Sequence, residues 1–292
     1  MKLPLLFLAA TAAFAQLNGV IDIHVHSGPD SVARSIDALD LAKLAKSRGM
    51  RGLVLKNHYE PTASLAYVIR QVVPGIELFG GIDLNRSVGG VNPAAVERMT
   101  MMKGGYGRVV WLPTFDAENQ VKFSKEDRPF VSVSRNGELL PETKAVIALA
   151  AKHHLMLETG HSSAEEGLMI LREAKRQGVE HLVVTHAMLA PVRMTTAQMR
   201  EAASMGAYLE FVYNGVTGVG QEYQLSDYAK AIRDVGAKSC ILSSDMGQVG
   251  NPLHPDGLAA FFAGLRKEGI PQADIDLMSK TNPALALGLK VN

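Results

Sequence analysis

Residues able to hold a metal ion open the patterned part of the chain. The run Val20-Ile21-Asp22-Ile23-His24-Val25-His26-Ser27-Gly28 alternates apolar and polar residues from Ile21 onward. That is the period of a β-strand, and it predicts Asp22, His24 and His26 on one face. Two imidazoles and a carboxylate buried side by side cost free energy unless something pairs with them. Neutral imidazoles with a carboxylate are a ligand set for one divalent first-row metal ion, Zn2+ most often, with Mn2+ or Fe2+ also suited. The same residue types recur in Lys56-Asn57-His58, Glu158-Thr159-Gly160-His161, Thr185-His186 and Ser243-Ser244-Asp245.

Gathering such scattered groups around one ion requires a fold that collects the ends of many strands. β-rich runs fall near 20–26, 52–58, 77–83, 108–113, 155–160, 181–186, 207–213 and 240–245. Helical patterns separate them, among them 37–47, 63–72, 93–102, 141–153, 164–177 and 196–205. Pro93 and Pro141 suit helix starts, whereas Gly49, Gly178 and Gly206 suit helix ends. Eight strands with intervening returns predict one α/β domain over 16–292, a (β/α)8 TIM barrel. The strand C-termini of that fold face the site. Six of the nine histidines (24, 26, 58, 161, 186 and 254) fall at those ends or in the loop after the last strand. Histidines placed for core packing would not gather on one rim. The stretch 130–139, turning at Asn136-Gly137, reads as a β-hairpin inserted after the fourth strand, either a lid or plain decoration.

Composition narrows the partners. Of the 292 residues 47% are hydrophobic and 20% charged, an ordinary globular balance. The formal charge is +1, from 30 basic and 29 acidic residues without a clustered basic stripe. This argues against nucleic acid and anionic membranes and leaves a small-molecule substrate, with homo-oligomer formation open. Met1-Lys2, the apolar run from Leu3 to Phe14 and the pattern Ala13-Phe14-Ala15 predict a secretory signal peptide over 1–15, with Gln16 the first mature residue. The run is short for a bilayer and no later one is longer, so the expected mature protein has no membrane span and is periplasmic or secreted. Cys240 is the only cysteine; it cannot form an internal disulfide and reads as a buried structural thiol.

His-x-His on the first strand, His186 closing the sixth and Asp245 closing the eighth resemble the amidohydrolase superfamily of metal-dependent hydrolases. Thr281-Asn282-Pro283-Ala284-Leu285-Ala286-Leu287-Gly288-Leu289 is similar to that superfamily's final helix. The resemblance covers roughly residues 20–290. It implies that His24 and His26 bind metal, that His161 and His186 bind metal or substrate, and that Asp245 takes a proton from the attacking water. There are departures. The fourth strand closes as Val110-Trp111-Leu112-Pro113-Thr114, without the bridging Lys or Glu usual in two-metal members, which implies one tightly bound ion. The motifs Leu55-Lys56-Asn57-His58 and Thr159-Gly160-His161 look closer to a divergent, uncharacterised amidohydrolase-like group, which implies no substrate.

Other groups near the strand ends have more than one reading. Lys56 follows the apolar Leu53-Val54-Leu55, so facing the core would desolvate it and demand a partner or a task. Holding a substrate carboxylate, stabilising a developing oxyanion, or serving as a carboxylated metal bridge would each suffice. Glu158 reads as a ligand or as a carboxylate orienting a histidine. His58 and Trp111 are candidate walls of the substrate pocket, although Trp111 also reads as a core aromatic. His153, His154 and His181 flank strand starts and read as structural, and His254 as a surface residue within reach of substrate. The whole points to an exported metal-dependent hydrolase of a small amide, ester or lactone. The alternatives are a decarboxylase or lyase of a small carboxylic acid and a non-catalytic metal-containing binding protein.

Overall fold

The β-rich runs become short parallel strands in a computed structural model that describes residues 17–291. The expected signal peptide lies outside the described residues. The barrel strands are β1 (Ile21–His26), β2 (Gly52–Lys56), β3 (Glu77–Asp83) and β4 (Gly107–Trp111), followed after the hairpin β5 (Ser134–Arg135) and β6 (Glu138–Leu139) by β7 (Met156–Glu158), β8 (His181–Val184), β9 (Tyr208–Val212) and β10 (Cys240–Ser243). They pair in the order β1-β2-β3-β4-β7-β8-β9-β10. Val25 and Met246 bridge the two ends of that order. Asp245 N–H donates to His24 O at 2.9 Å and His26 N–H to Met246 O at 3.0 Å, closing the ring.

Local chemistry sets the returns. Pro93 and Pro141 are the first residues of helices Pro93–Thr100 and Pro141–Lys152, where a missing N–H costs nothing. Gly49, Gly178 and Gly206 follow helix ends with φ of +79°, +81° and +92°, a region open to glycine. Helix Ala164–Arg176 opens on a reciprocal cap, Ser163 Oγ accepting from Glu166 N–H and Glu166 from Ser163 N–H. Two apolar layers result. One lies between strands and helices; the other fills the barrel with Ile21, Ile23, Val54, Trp111, Val183 and Ile241, closed below by Ala284, Ala286 and Leu287. Among the described residues no helix is long and apolar enough to cross a membrane.

Three expectations are corrected. The register between β1 and β2 shifts between Asp22 and Val25, so Ile23 and His24 together stand opposite Val54. This bulge re-aims the histidines and leaves Asp22 on the other face, paired with Leu53. Asp22 Oδ1 instead accepts from Ser244 N–H at 3.0 Å and His24 N–H at 3.2 Å, fastening the barrel seam. The hairpin forms at Asn136-Gly137 but docks on the neighbouring helix through Ser134 Oγ to Glu166 (2.7 Å), away from the central cavity. His254 is wholly buried at the start of helix His254–Lys267 rather than at the surface, because that helix packs between helices Ala38–Ser47 and Leu225–Val235 with its first turn inward. Cys240 is buried as expected, and burial pushes its thiol up to about 12.

Candidate metal centre

A cavity of about 400 Å³ opens at the C-terminal ends of the strands, lined by His24, His26, His58, His161, His186 and Asp245. His24 and His26 come from β1; His186 and Asp245 lie just beyond β8 and β10. The last two hold φ of +26° and +49°, unusual for residues bearing a Cβ. Such strain persists where surrounding bonds over-determine the backbone. His161 is brought back to the rim by Gly160, whose φ is +62° and where a Cβ would collide with the Leu112 carbonyl oxygen. His161 N–H then donates to Pro113 O at 2.9 Å.

The ligand atoms converge. Asp245 Oδ1 lies 3.2 Å from both His24 Nε2 and His26 Nε2, and the three residues form a group able to hold a metal ion. Across the cavity His161 Nε2 and His186 Nε2 are 3.1 Å apart. Ligands about 2.0–2.1 Å from a tetrahedral ion stand roughly 3.3 Å from one another, so the spacings within the His24–His26–Asp245 group suit a cation. The remaining atoms of the shell are held from behind. Asp245 Oδ2 accepts from Asn214 Nδ2 at 3.2 Å. His161 Nδ1 meets Gln120 Oε1 at 2.8 Å, and His24 Nδ1 meets Glu210 Oε1 at 3.1 Å.

The electrostatics favour positive charge at the His24–Asp245 edge. Burial opposes a charged His24, yet Asp245 and then Glu210 outweigh it and push its imidazole up to about 9. Burial would raise Asp245, but His24 and His26 hold its carboxyl well below the usual range. The carboxylates that favour a proton there favour a metal cation equally. Burial keeps His26 and His161 well below the ordinary imidazole value and lowers His186, leaving neutral rings suited to coordination.

Lys56, Glu158 and Trp111 do not line the cavity. Lys56 is buried in an ion pair with Asp83 (Nζ to Oδ2 2.7 Å, both side chains 0% exposed), with its ammonium 5.3 Å from the Trp111 ring centre. A desolvated ammonium needs a counter-charge, and the end of β3 supplies it. This corrects the expectation that Lys56 touches substrate. Glu158 is fully buried and accepts from Thr185 Oγ1 at 2.9 Å, with burial and then Glu210 raising its carboxyl well above the usual range. Trp111 belongs to the barrel core. His58 does line the cavity. Its Nδ1 meets Asp83 Oδ2 at 3.1 Å and Thr114 Oγ1 at 2.9 Å, and burial and Lys56 lower its pKa to about 4. Phe115 packs edge-on to His58, ring centres 4.6 Å apart.

Sequence reading passed over Asp83, Gln120, Glu210 and Asn214. Asp83 and Glu210 lie within strand runs, and a buried carboxylate there was a signal in its own right. Gln120 and Asn214 sit in the short helices Glu118–Ser124 and Tyr213–Val216, with no pattern to mark them.

A family model described as a family of unknown function, DUF6282, matches residues 19–210. No curated protein matches the chain. Solved structures share the fold. An amidohydrolase from Pseudomonas aeruginosa aligns at 13% identity over 94% of this chain and 97% of that one, TM-score 0.64. A triple mutant of an organophosphorus hydrolase from Deinococcus radiodurans aligns at 16% identity over 94% of each chain, TM-score 0.64. A 2,6-dihydroxybenzoate decarboxylase from Rhizobium aligns at 13% identity over 93% of this chain and 99% of that one, TM-score 0.54. At these identities the likeness is one of fold.

Proposed function

The chain belongs to the DUF6282 family of unknown function, and from its site we propose that it is a metal-dependent hydrolase of a small amide, ester or lactone. The observation that carries this reading is the His24–His26–Asp245 group facing a cavity of about 400 Å³, where ligand atoms and room for a substrate coincide. His161 and His186 complete the shell, as the amidohydrolase resemblance implies. A divalent cation held there, one Zn2+ in this reading, supplies Lewis acidity that polarises a carbonyl oxygen and acidifies water.

The chain's own residues do the rest. Asp245 is pinned by Asn214 at Oδ2 and lies beside the ligand histidines at Oδ1, so it accepts the proton of the attacking water and delivers it to the leaving group. His58 bounds the substrate beside Phe115. Engagement of Lys56 by Asp83 removes the residue that would have held a substrate carboxylate, which favours hydrolysis over decarboxylation. A cavity beside the ligands favours an enzyme over a binding protein. The leader pattern adds export to a periplasmic or extracellular location.

The test is Asp245→Asn, assayed on a panel of esters, lactones and amides with zinc-loaded protein. The variant keeps the shape and removes the base, so turnover should fall roughly a hundredfold or more. Near-wild-type turnover in a fully metallated variant would refute the assignment.

A further inference from the structure

Glu210 lies in the middle of β9 with no exposed surface, and three hydrogen-bond donors from three different elements converge on its carboxylate. Ser243 Oγ of β10 donates to Oε1 at 2.6 Å. The backbone N–H of His186, beyond β8, donates to Oε2 at 2.9 Å. His24 Nδ1 of β1 sits 3.1 Å from Oε1 and 3.3 Å from Oε2. An ionised carboxylate only accepts, so His24 Nδ1 carries a hydrogen and Nε2 is the nitrogen turned toward the cavity. Nε2 lies 3.2 Å from Asp245 Oδ1, a spacing bridged by a proton on Nε2 or, once that proton is displaced, by a metal ion.

We propose that Glu210 is a positioning residue that fixes the His24 tautomer and anchors the turn at His186, so that both rings present Nε2 to one metal ion. The inference rests on the metal-centre reading above. One carboxylate thereby couples a ring carried by β1 to a ring beyond β8, the two centres 6.1 Å apart. Glutamine cannot replace it, because an amide has a single oxygen and its NH2 group would face one of the three donors. Glu158 offers the comparison: it is equally buried on β7, but its bond goes to Thr185 Oγ1 and to no histidine.

Zinc affinity of the full chain would be measured by competition with a chromogenic chelator for wild type, Glu210→Gln and Glu158→Gln, with circular dichroism to confirm folding. Glu210→Gln should bind about 10–100-fold more weakly, the usual effect of losing a ligand's supporting partner. Glu158→Gln should stay within about threefold, since it supports no ligand directly. Folded Glu210→Gln binding as tightly as wild type overturns the proposal, and so does an equal loss in both variants, which would indicate a general effect of altering a buried carboxyl group. Imidazole 15N shifts in zinc-loaded wild type give a reading that needs no variant: His24 must carry its hydrogen on Nδ1, and an Nε2–H tautomer overturns the proposal. Failure of wild type to bind zinc would instead overturn the metal-centre reading, and this inference with it.

Discussion

Lys56→Met tests the barrel's buried charge most directly. The ammonium and the Asp83 carboxylate meet at 2.7 Å with neither side chain exposed, so solvent screens the pair little. Removing one member of such a pair strands the other charge and costs about 3–5 kcal/mol. The lower end applies, because Asp83 Oδ2 keeps donors from His58 Nδ1 (3.1 Å) and Thr114 Oγ1 (3.0 Å). At roughly 2–4 °C per kcal/mol for a domain approaching this size, a loss of about 3 kcal/mol lowers the melting temperature by about 6–12 °C. Asp83→Leu should cost a similar amount by stranding the ammonium, which keeps only His58 Nδ1 at 3.4 Å and the Trp111 ring close by. The double variant removes both charges and should lie within about 1–2 kcal/mol of wild type, the residue being the acceptor lost by His58 and Thr114. Urea and thermal melts of the four proteins complete the cycle. If Lys56→Met melts within about 2 °C of wild type, the ammonium is not held by Asp83 and the reasoning fails. Zinc content should be unchanged in Lys56→Met, and its loss would return Lys56 to the role of a metal bridge.

Two further outcomes are expected, one from the site and one from the leader pattern. Elemental analysis should find about one ion per chain in the wild type and almost none in His24→Ala/His26→Ala, with far-UV circular dichroism unchanged, since two ligands are lost while the barrel core is untouched. Expressed with its leader in a bacterium, the protein should be recovered outside the cytoplasm with Gln16 as its N-terminal residue; an intact Met1 on that protein would count against cleavage.

Much of the scaffold is written locally. Apolar runs with strand periodicity, prolines at 93 and 141 opening helices, and glycines at 49, 178 and 206 closing them all act within a few residues of themselves. The barrel, the rim of histidines and the candidate pairing of His24 and His26 with Asp245 were therefore legible, because each lies at the end of a recognisable run. What those side chains touch was not. Alternation put Asp22 beside the histidines, and only the bulge opposite Val54, created by pairing with β2, turned it away. Lys56 reads as a free cation until β3 places Asp83 against it 27 residues later. Glu210 reaches His24 across 186 residues of chain, through the closure of β1 against the far end of the sheet. Strand direction and burial are properties of a short window, and the sequence determines them alone. Partners across a closed barrel depend on register, bulge and seam, which exist only once all the strands have paired.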